Sequence, residues 1–529
     1  MIRRLKNAWN ALFADSDGFG LDVSAPKRLG AEVRRPHEAA SITELNRNWQ
    51  PGHHSGDSVL AESWDLTTSR VRDLIRNEPT LRRARNQIAR LIIGTGILTF
   101  SNVESIDPEH NPKLEKYATE SDAWFDHWAE KEADARGIMS WYEMQDQMIR
   151  DTAEAGTSLL LKCMRNEPGR SVPLCYQLIE FEQLDRTKDR AARAGENRIS
   201  QGIEVDSLGR PVAYWIYDAH PYDFDSGGSS YKSTRIAAER VIPYYIPDRI
   251  SAVCGISWFA PLVRPVKDMD WYVATELQAA AIGALLTLVY KSEDAQGLDG
   301  LDDGLGDTRD DNSNPLVKLG RAITAVIGTE EEISVAESKR PNRDAGPFLE
   351  VIQKLLAMGA DLSYIRLTGD LKNTSYTAAR AAHLDDQAMA SPLQKSFSHR
   401  VVLPVRRAHN RMAAAARLYR SVTPREFERD EHTYQLMKAQ PVGREQLDPI
   451  KETTAAAERL RTFQTTLEEE IGKRGGNWKQ YLRQRRRENQ YAEGLGLVLD
   501  YSKGNGGNPL DQQDDNESDT NQEDKNAAA

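Results

Sequence analysis

The apolar residues of this chain change their spacing twice, and those changes restrict the folds that it can adopt. Between about 80 and 155 apolar side chains recur every three or four positions, which predicts helices over about 80–93, 113–131 and 139–155. They then alternate as in strands up to about residue 245, and helical spacing returns from 257. Helices and paired strands that stay in separate blocks predict an α+β fold.

The strongest strand signal is the segment "ISQGIEVDSLGRPVAYWIYD". Two alternating runs flank Asp206–Gly209, and Pro211 opens the second run. Runs of this kind joined by turn-forming residues predict a β-hairpin. Residues 1–60, by contrast, look irregular and polar.

Two long helical segments surround an acidic insertion. The first lies within 257–290 and would extend roughly 35–40 Å if its last twenty-five or so residues are continuous. The stretch 292–314 is rich in Gly and Asp, which predicts a solvated, mobile insertion. The second helix has Pro347 near its start and apolar residues on one face.

A short polar loop, "TGDLKNTSY", separates that second helix from a helix-like segment of over forty residues. Gly369 and Asn373 tolerate unusual backbone angles, and most of their neighbours are polar or turn formers. Pro392 and Pro404 are expected to kink the following helix rather than end it. Taken alone, the loop is simply a connection between two helices.

Further helices are predicted from Pro449 and after Asn477, because both positions have helix-start residues. The last stretch, 501–529, is rich in Asn, Gln, Asp and Gly and has no apolar period. We expect it to be a disordered acidic tail.

Charge and cysteine content exclude several classes of protein. The 529-residue chain carries a formal net charge of −11, whereas a protein that grips DNA by neutralising phosphates usually has a basic face. Three cysteines without a close pair argue against a disulfide framework or a zinc site. The sequence has no run of eighteen apolar residues and no recognisable signal peptide, so no membrane association is expected.

No pattern typical of catalysis or metal binding stands out. The chain lacks a phosphate-binding G-x-x-x-x-G-K-[ST] loop, an H-E-x-x-H zinc motif and a G-x-S-x-G nucleophile elbow. Carboxylate pairs such as Asp302/Asp303 and Asp385/Asp386 lie in acidic loops or on a charged helix face, which favours solvation over acid–base catalysis. For Asp385/Asp386, contacts between subunits are the alternative interpretation. We therefore predict no enzyme activity, no cofactor and no metal.

Five blocks in order, from about 70 to 500, carry a resemblance. They are "RRARNQIARLIIGTGI", "QGIEVDSLGRPVAYWIYDAHP", "GISWFAPLVRPVKDMDWYVATELQAAAIGA", "LTGDLKNTSYTAARAA", and "DPIKETTAAAERL" with the later "ENQYAEGLGL". The chain resembles the lambda-type family of tailed-bacteriophage portal proteins. Its segment "IPDRISAVCGIS" departs from the family's basic turn, and the acidic insertion looks particular to this chain.

The resemblance implies a portal-protein fold with a wing, a two-helix stem, a small α/β clip and a helical crown, assembled as a ring that is usually a dodecamer. The implied ranges are 1–24 for an N-terminal segment, 25–255 for the wing, 257–290 for stem helix 1, 291–343 for the clip, 344–364 for stem helix 2, 365–376 for a tunnel loop, 376–445 for a long kinked wing helix and the segment after it, 446–500 for the crown and 501–529 for the tail.

The resemblance also implies which residues contact DNA. The tunnel loop would project into the channel, where Lys372 can touch a phosphate and the polar side chains can hydrogen-bond one. Its candidate residues are Thr368, Gly369, Asp370, Lys372, Asn373, Thr374 and Ser375. A second candidate set on the crown helix is Arg483, Arg485, Arg486 and Arg487, for which a solvated or intersubunit-paired face is the alternative interpretation.

The implied function is a DNA conduit at one capsid vertex, used during packaging and ejection. The implied partners are further copies of the chain, double-stranded DNA, the terminase large subunit, a neck or adaptor protein, and the major capsid and scaffolding proteins. The protein would assemble in the host bacterial cytoplasm and reside in the virion. Two alternatives stay open: another neck or connector ring, and a metal-dependent DNA-processing enzyme, which would need acidic ligands for magnesium on a rigid element.

Overall fold

The structure is a computed structural model. It describes residues 48, 52–103, 111–193, 195–223, 232–285, 288–291, 308–309, 315–316, 324–327, 345–372, 374–443 and 449–497. The chain divides into two units, Met1–His54 and Ser55–Ala529, and every element below belongs to the second. That unit combines helices with small sheets, so the predicted mixture of α and β structure is confirmed.

Four helices open this unit: α1 Gly56–Asn77, α2 Pro79–Ile92, α3 Pro112–Lys131 and α4 Trp141–Ala155. Helix α1 begins inside the region that looked irregular, since the Ser55 hydroxyl caps it by accepting a hydrogen bond from the Ser58 amide. Helix α4 starts with a capping box between Ser140 and Glu143 and ends at the left-handed Gly156.

Two antiparallel sheets follow. Strands β2 Thr157–Met164, β3 Leu174–Ile179 and β8 Val241–Tyr245 pair in the order β3-β2-β8, while β4 Arg198–Ser200, β5 Ile203–Val205, β6 Pro211–Tyr217 and β7 Ser233–Ala237 pair in sequence order. The predicted hairpin is β5–β6, and its turn is closed by the Asp206 carboxylate, which accepts from the Leu208 and Arg210 amides. Its first run splits into β4 and β5, because Gln201 and Gly202 take positive φ values of 49° and 79° and turn the chain.

A small sheet brings together two distant parts of the chain. Strand β1, Leu98–Ser101, pairs antiparallel with β13, Met437–Gln440. The Tyr117 hydroxyl of α3 donates to the Tyr434 carbonyl close to the same join. The segment that leads to residue 443 therefore packs on the first helices.

The main core lies between α2, α3, α4, the three-stranded sheet and the long helix near residue 400. It is rich in aromatic side chains, with Trp128, Trp141 and Tyr176 fully buried and in ring contact. A second cluster, around Trp64 and Phe181, joins α1 to the four-stranded sheet. These cores fix the elements from which the candidate site is built.

Helix α5 covers Val263–Leu285, after a short 3-10 turn at Ala260–Leu262, and helix α6 covers Ala345–Gly359. The two contact each other through the rings of Tyr272 and Phe348, whose centroids lie 4.9 Å apart. The intervening backbone is described only at β9 Leu288–Lys291, β10 Thr308–Arg309, β11 Pro315–Leu316 and β12 Thr324–Ile327, where β9 pairs parallel with β12 and β10 pairs antiparallel with β11. Most of the acidic insertion 292–314 lies outside the described residues.

The second helical segment is interrupted. After α6, residues 360–363 turn the chain, and a five-residue helix, α7 Tyr364–Thr368, precedes the polar loop. Helix α8 Tyr376–Phe397 then continues through a π-helical turn, Ser398–Val402, into α9 Leu403–Ala415. As predicted, neither proline ends this helix. The wider π turn stands directly before Pro404, where a proline ring would otherwise clash with the preceding turn.

The remaining helices are α10 Pro424–Arg429, α11 Glu431–Tyr434, α12 Pro449–Arg461, α13 Leu467–Gly472 and α14 Trp478–Gly494. Of these, α12 and α14 start where the sequence predicts helices. The tail 501–529 lies outside the described residues. Within the described ranges, every helix is too short or too polar to cross a bilayer.

Candidate nucleic-acid interface

The polar loop runs from Gly369 to Ser375, between α7 and α8. Thr368 ends α7 rather than belonging to the loop, and its hydroxyl donates to the Tyr364 carbonyl at 2.8 Å. Gly369 takes a φ of +76°, and its amide closes α7 by donating to the Ile365 carbonyl at 2.7 Å. A left-handed residue at this point lets the chain leave the helix abruptly.

Two polar side chains of the loop accept hydrogen bonds from nearby backbone amides. The Asp370 carboxylate accepts from the Lys372 amide at 2.8 Å, and the Ser375 hydroxyl caps α8 by accepting from the Ala378 amide at 3.2 Å. Asn373 lies outside the described residues. Lys372 is exposed, and no described carboxylate pairs with its ammonium group. Among the described loop residues, Lys372 therefore offers the free charge.

A buried carboxylate holds the base of the loop. Asp386, on α8, is 3% exposed and accepts from the Ser363 amide at 2.7 Å and from Arg366 Nε at 2.9 Å. The sequence predicted that Asp385 and Asp386 are both solvated, and for Asp386 that prediction is wrong. Its position on α8 faces the start of α7, where a backbone amide and a guanidinium need an acceptor.

Helix α2 holds the same region from the other side. Arg83 Nε donates to the Arg366 carbonyl at 3.3 Å. A Cβ at Gly369 would lie 2.9 Å from the Arg83 guanidinium, so glycine serves both the backbone angle and the close approach. The loop thus projects from a fixed base rather than from a mobile one.

The four arginines of α14 do not act as one cluster. Arg483 Nη2 contacts the Glu115 carboxylate of α3 at 3.2 Å. Arg483, Arg485 and Arg487 line a cleft of α14 and α3 that also contains Asp122 and Asp126. Arg486 lies on another side of α14 and is exposed. Of the four arginines, Arg486 is the one least surrounded by carboxylates, so it is the most accessible to an external phosphate.

A larger cleft was not predicted from the sequence. It has a volume of about 940 Å³ and lies between α2, α8, β13 and the residues that follow α13. Its cationic lining residues are Arg90, Arg366, Lys395, Lys438 and Lys473, together with His383 and His399. No described Asp or Glu lines it. We call this feature the basic cleft. Its members are up to 383 positions apart in the sequence, so no local pattern indicates it.

Across the described ranges, no three His, Cys, Asp or Glu side chains come together in a way that could hold a metal ion. The three cysteines are free thiols, and Cys163 and Cys175 face each other across β2 and β3. Burial raises the pKa of the Cys254 thiol to about 12 and also raises the pKa of the Cys163 and Cys175 thiols. Such raised values oppose thiolate formation and nucleophilic use.

Comparison with known proteins identifies the family. The model of the family "Phage portal protein, lambda family" matches residues 43–394, which include α5, α6 and the polar loop. The "Probable portal protein" of Halomonas phage phiHAP-1 is 25% identical over 75% of each chain. "Portal protein B" of Escherichia phage lambda is 20% identical over 85% of this chain and 88% of its own.

A chain in the solved structure "Virion of native gene transfer agent (GTA) particle" aligns with 84% of this chain and 99% of its own length, at 13% identity and a TM-score of 0.35. That superposition is too loose to add to the comparison of sequences. The family model alone spans more than half of the chain. The chain belongs to the lambda family of phage portal proteins.

Proposed function

We propose that copies of this portal protein close into a ring, usually of twelve subunits, at one capsid vertex, and that double-stranded DNA passes through its channel. The family match carries this proposal, because it spans helices α5 and α6 and the polar loop that follows α7. The ring would dock the terminase large subunit during packaging and a neck or adaptor protein afterwards, and would pass DNA outwards at ejection. The major capsid and scaffolding proteins would be further partners, with assembly in the host bacterial cytoplasm and the finished ring at the portal vertex of the virion.

Apolar side chains on the two helices support self-association. Helix α6 carries an apolar stripe of Phe348, Val351, Leu355 and Met358, whose exposures range from 48% to 68%. At helical spacing these residues share one face, and because each is already about half buried, covering the rest would contribute roughly half of the about 1.5–3 kcal/mol that burial from full exposure gives. Helix α5 adds Trp271 and Leu277, which are 70% and 67% exposed. A second copy of the chain is the partner that such a surface fits best in a family of ring-forming proteins.

The loop supports the conduit role. It is short, polar and exposed, and Lys372 offers a single cation for transient phosphate contact. A conduit needs few such contacts, because each one strengthens adhesion. We assign the chemical work of packaging to the separate terminase motor and no catalytic step to this chain. A neck connector and a metal-dependent DNA-processing enzyme are the alternatives, and the family match favours the portal.

The ring is tested with the full chain by mass photometry and by electron microscopy of the particles in projection. Val351→Glu with Leu355→Glu places two charges in the apolar stripe, so we expect it to yield monomers where the wild type yields rings. Lys354→Gln, on the same helix but outside the stripe, is the matched control and should still form rings. A wild type that stays monomeric at micromolar concentration, or that hydrolyses nucleotide unaided, would overturn the proposal.

A further inference from the structure

We propose that the basic cleft is a docking site for the acidic C-terminal segment of this chain, residues 511–524. The segment reads "DQQDDNESDTNQED" and contains seven acidic residues and no basic one. The cleft shows the opposite charge in a chain whose net charge is −11. This pairing is independent of the proposed ring and of the DNA channel.

Some cations of the basic cleft are already used within the fold. Lys473 pairs with Glu470 at 2.7 Å, Lys438 pairs with Glu468, and Arg366 pairs with Asp386. Glu470 and Glu468 neutralise the two lysines that line the cleft from β13 and from the residues after α13. Asp386 neutralises Arg366 at the end of the cleft near the loop. They therefore limit which charges remain for a ligand.

Arg90 and Lys395 remain available. Both are exposed, line the cleft from α2 and α8, and have no ion-pair partner among the described residues. His399, one helical turn after Lys395, also lines the cleft and is likewise without a described partner. Two separate cations that line one cleft from neighbouring helices favour an extended anionic chain over a single small anion.

The neutral lining suits a peptide. Amides and hydroxyls, among them Gln387, Ser391 and Gln440, lie between the cations. The Ser391 hydroxyl already donates to the Gln387 carbonyl, and Gln440 Nε2 donates to the Gly472 carbonyl. Their side-chain oxygens can still accept hydrogen bonds from the backbone amides and side chains of the acidic segment. The cleft volume of about 940 Å³ lies in the range that is typical of ligand-binding pockets.

The chain is long enough to bring the segment to the cleft. Lys473 lines the cleft, and α14, which starts at Trp478, then extends roughly 25 Å to Gly494. From Leu497 to Asp511 the chain can extend up to about 50 Å. The acidic segment can therefore return to the cleft of its own subunit.

Tethering favours this segment over DNA as the occupant. A flexible tether gives its end an effective concentration of order millimolar, so a few ionic contacts are sufficient. Duplex DNA arrives from solution and must approach a chain of net charge −11. The cleft is thus expected to be covered by the segment when DNA is present.

The test uses the full-length chain with its seven acidic residues in 511–524 changed to Asn or Gln, called the neutral-tail chain. A fluorescein-labelled peptide of residues 508–526 is titrated in 50 mM salt and followed by anisotropy. We expect the neutral-tail chain to bind the peptide at least tenfold more tightly than the wild type, whose own segment competes. Arg90→Glu with Lys395→Glu, added to the neutral-tail chain, should weaken binding at least tenfold.

The matched control is Arg82→Glu with Arg407→Glu, which makes the same change of charge at exposed sites outside the cleft and should leave peptide binding unchanged. Circular dichroism melts show whether each variant is folded. Equal binding by wild-type and neutral-tail chains, or no effect of the cleft substitutions, would overturn the proposal. So would tight cleft-dependent binding of a labelled 20-base-pair duplex with no binding of the peptide, which would assign the cleft to nucleic acid.

Discussion

At the residue scale, the polar loop depends on the ion pair of Arg366 and Asp386. Replacing Arg366 with Ala leaves a carboxylate that is 3% exposed without its charged partner. We expect Arg366→Ala to lower the free energy of unfolding by about 3 kcal/mol, because an uncompensated buried charge is costly. Chemical denaturation of the full chain measures this change.

The control for that prediction removes both charges. Arg366→Met with Asp386→Leu leaves no buried ion, so the double variant should be more stable than Arg366→Ala alone. If Arg366→Ala lowers the free energy of unfolding by less than about 0.5 kcal/mol, the pair does not hold the base of the loop.

His409 is a second residue whose protonation depends strongly on its surroundings. It lies fully buried on α9, with the ring centroids of Phe125 and Trp128 at 5.3 and 5.1 Å. Neither ring nitrogen has a hydrogen-bond partner among the described residues. Burial, and then the charge of Arg406, hold the pKa of His409 well below its usual value. Asp122, the carboxylate that pairs with Arg406 at 2.7 Å, offsets that charge.

This environment predicts a pH dependence of stability. His409 stays neutral in the folded chain but takes up a proton in the unfolded chain below about pH 6.5. The unfolded state then binds more protons, so stability is complete above that pH and falls as the pH drops, by up to about 1.4 kcal/mol per unit from this group. His409→Phe should show a shallower fall between pH 6.5 and 5 in denaturation experiments. His432→Phe, at an exposed site, should keep the wild-type dependence, and equal slopes for wild type and His409→Phe would contradict the prediction.

At the scale of elements, the sequence predicted most of the features that depend only on neighbouring residues. Helices α2, α3 and α4 begin and end within about two residues of the sequence prediction, because their apolar spacing and end signals are local. The hairpin turn at Asp206 is likewise local, since its side chain binds amides two and four residues away. These features need no knowledge of the rest of the chain.

Features that depend on distant contacts were missed. Strand β1 is four residues long and exists because β13, more than 300 positions later, pairs with it. Asp386 looked like a member of a charged helix face, and only the position of α7 makes it a buried acceptor. The basic cleft was missed for the same reason, since its walls come from separate elements. By contrast, the loop itself was visible as turn formers between two helical patterns, although Thr368 proved to belong to α7.

At the scale of the whole molecule, the acidic charge opposes adhesion to DNA. Each chain carries −11, which the proposed dodecamer multiplies about twelvefold. Such a net charge would repel a duplex inside the proposed ring, and in the loop the Asp370 carboxylate binds the Lys372 amide. We propose the Lys372 ammonium as the loop's contribution to phosphate contact, and weak contact of this kind would let DNA slide.

That balance gives a prediction for the assembled protein. Lys372→Glu should reduce the retention of duplex DNA, because each lost phosphate contact removes about 0.9 from the slope of log K against log salt. Lys116→Glu, at an exposed site on α3, makes the same change of charge away from the loop and should leave the slope almost unchanged. The measurement is duplex binding over a salt series with purified rings, paired with the amount of DNA packaged per capsid when each variant replaces the wild type. If both variants give the same slope and the same packaging as the wild type, the phosphate contact does not come from Lys372, and weak adhesion must arise from the overall charge alone.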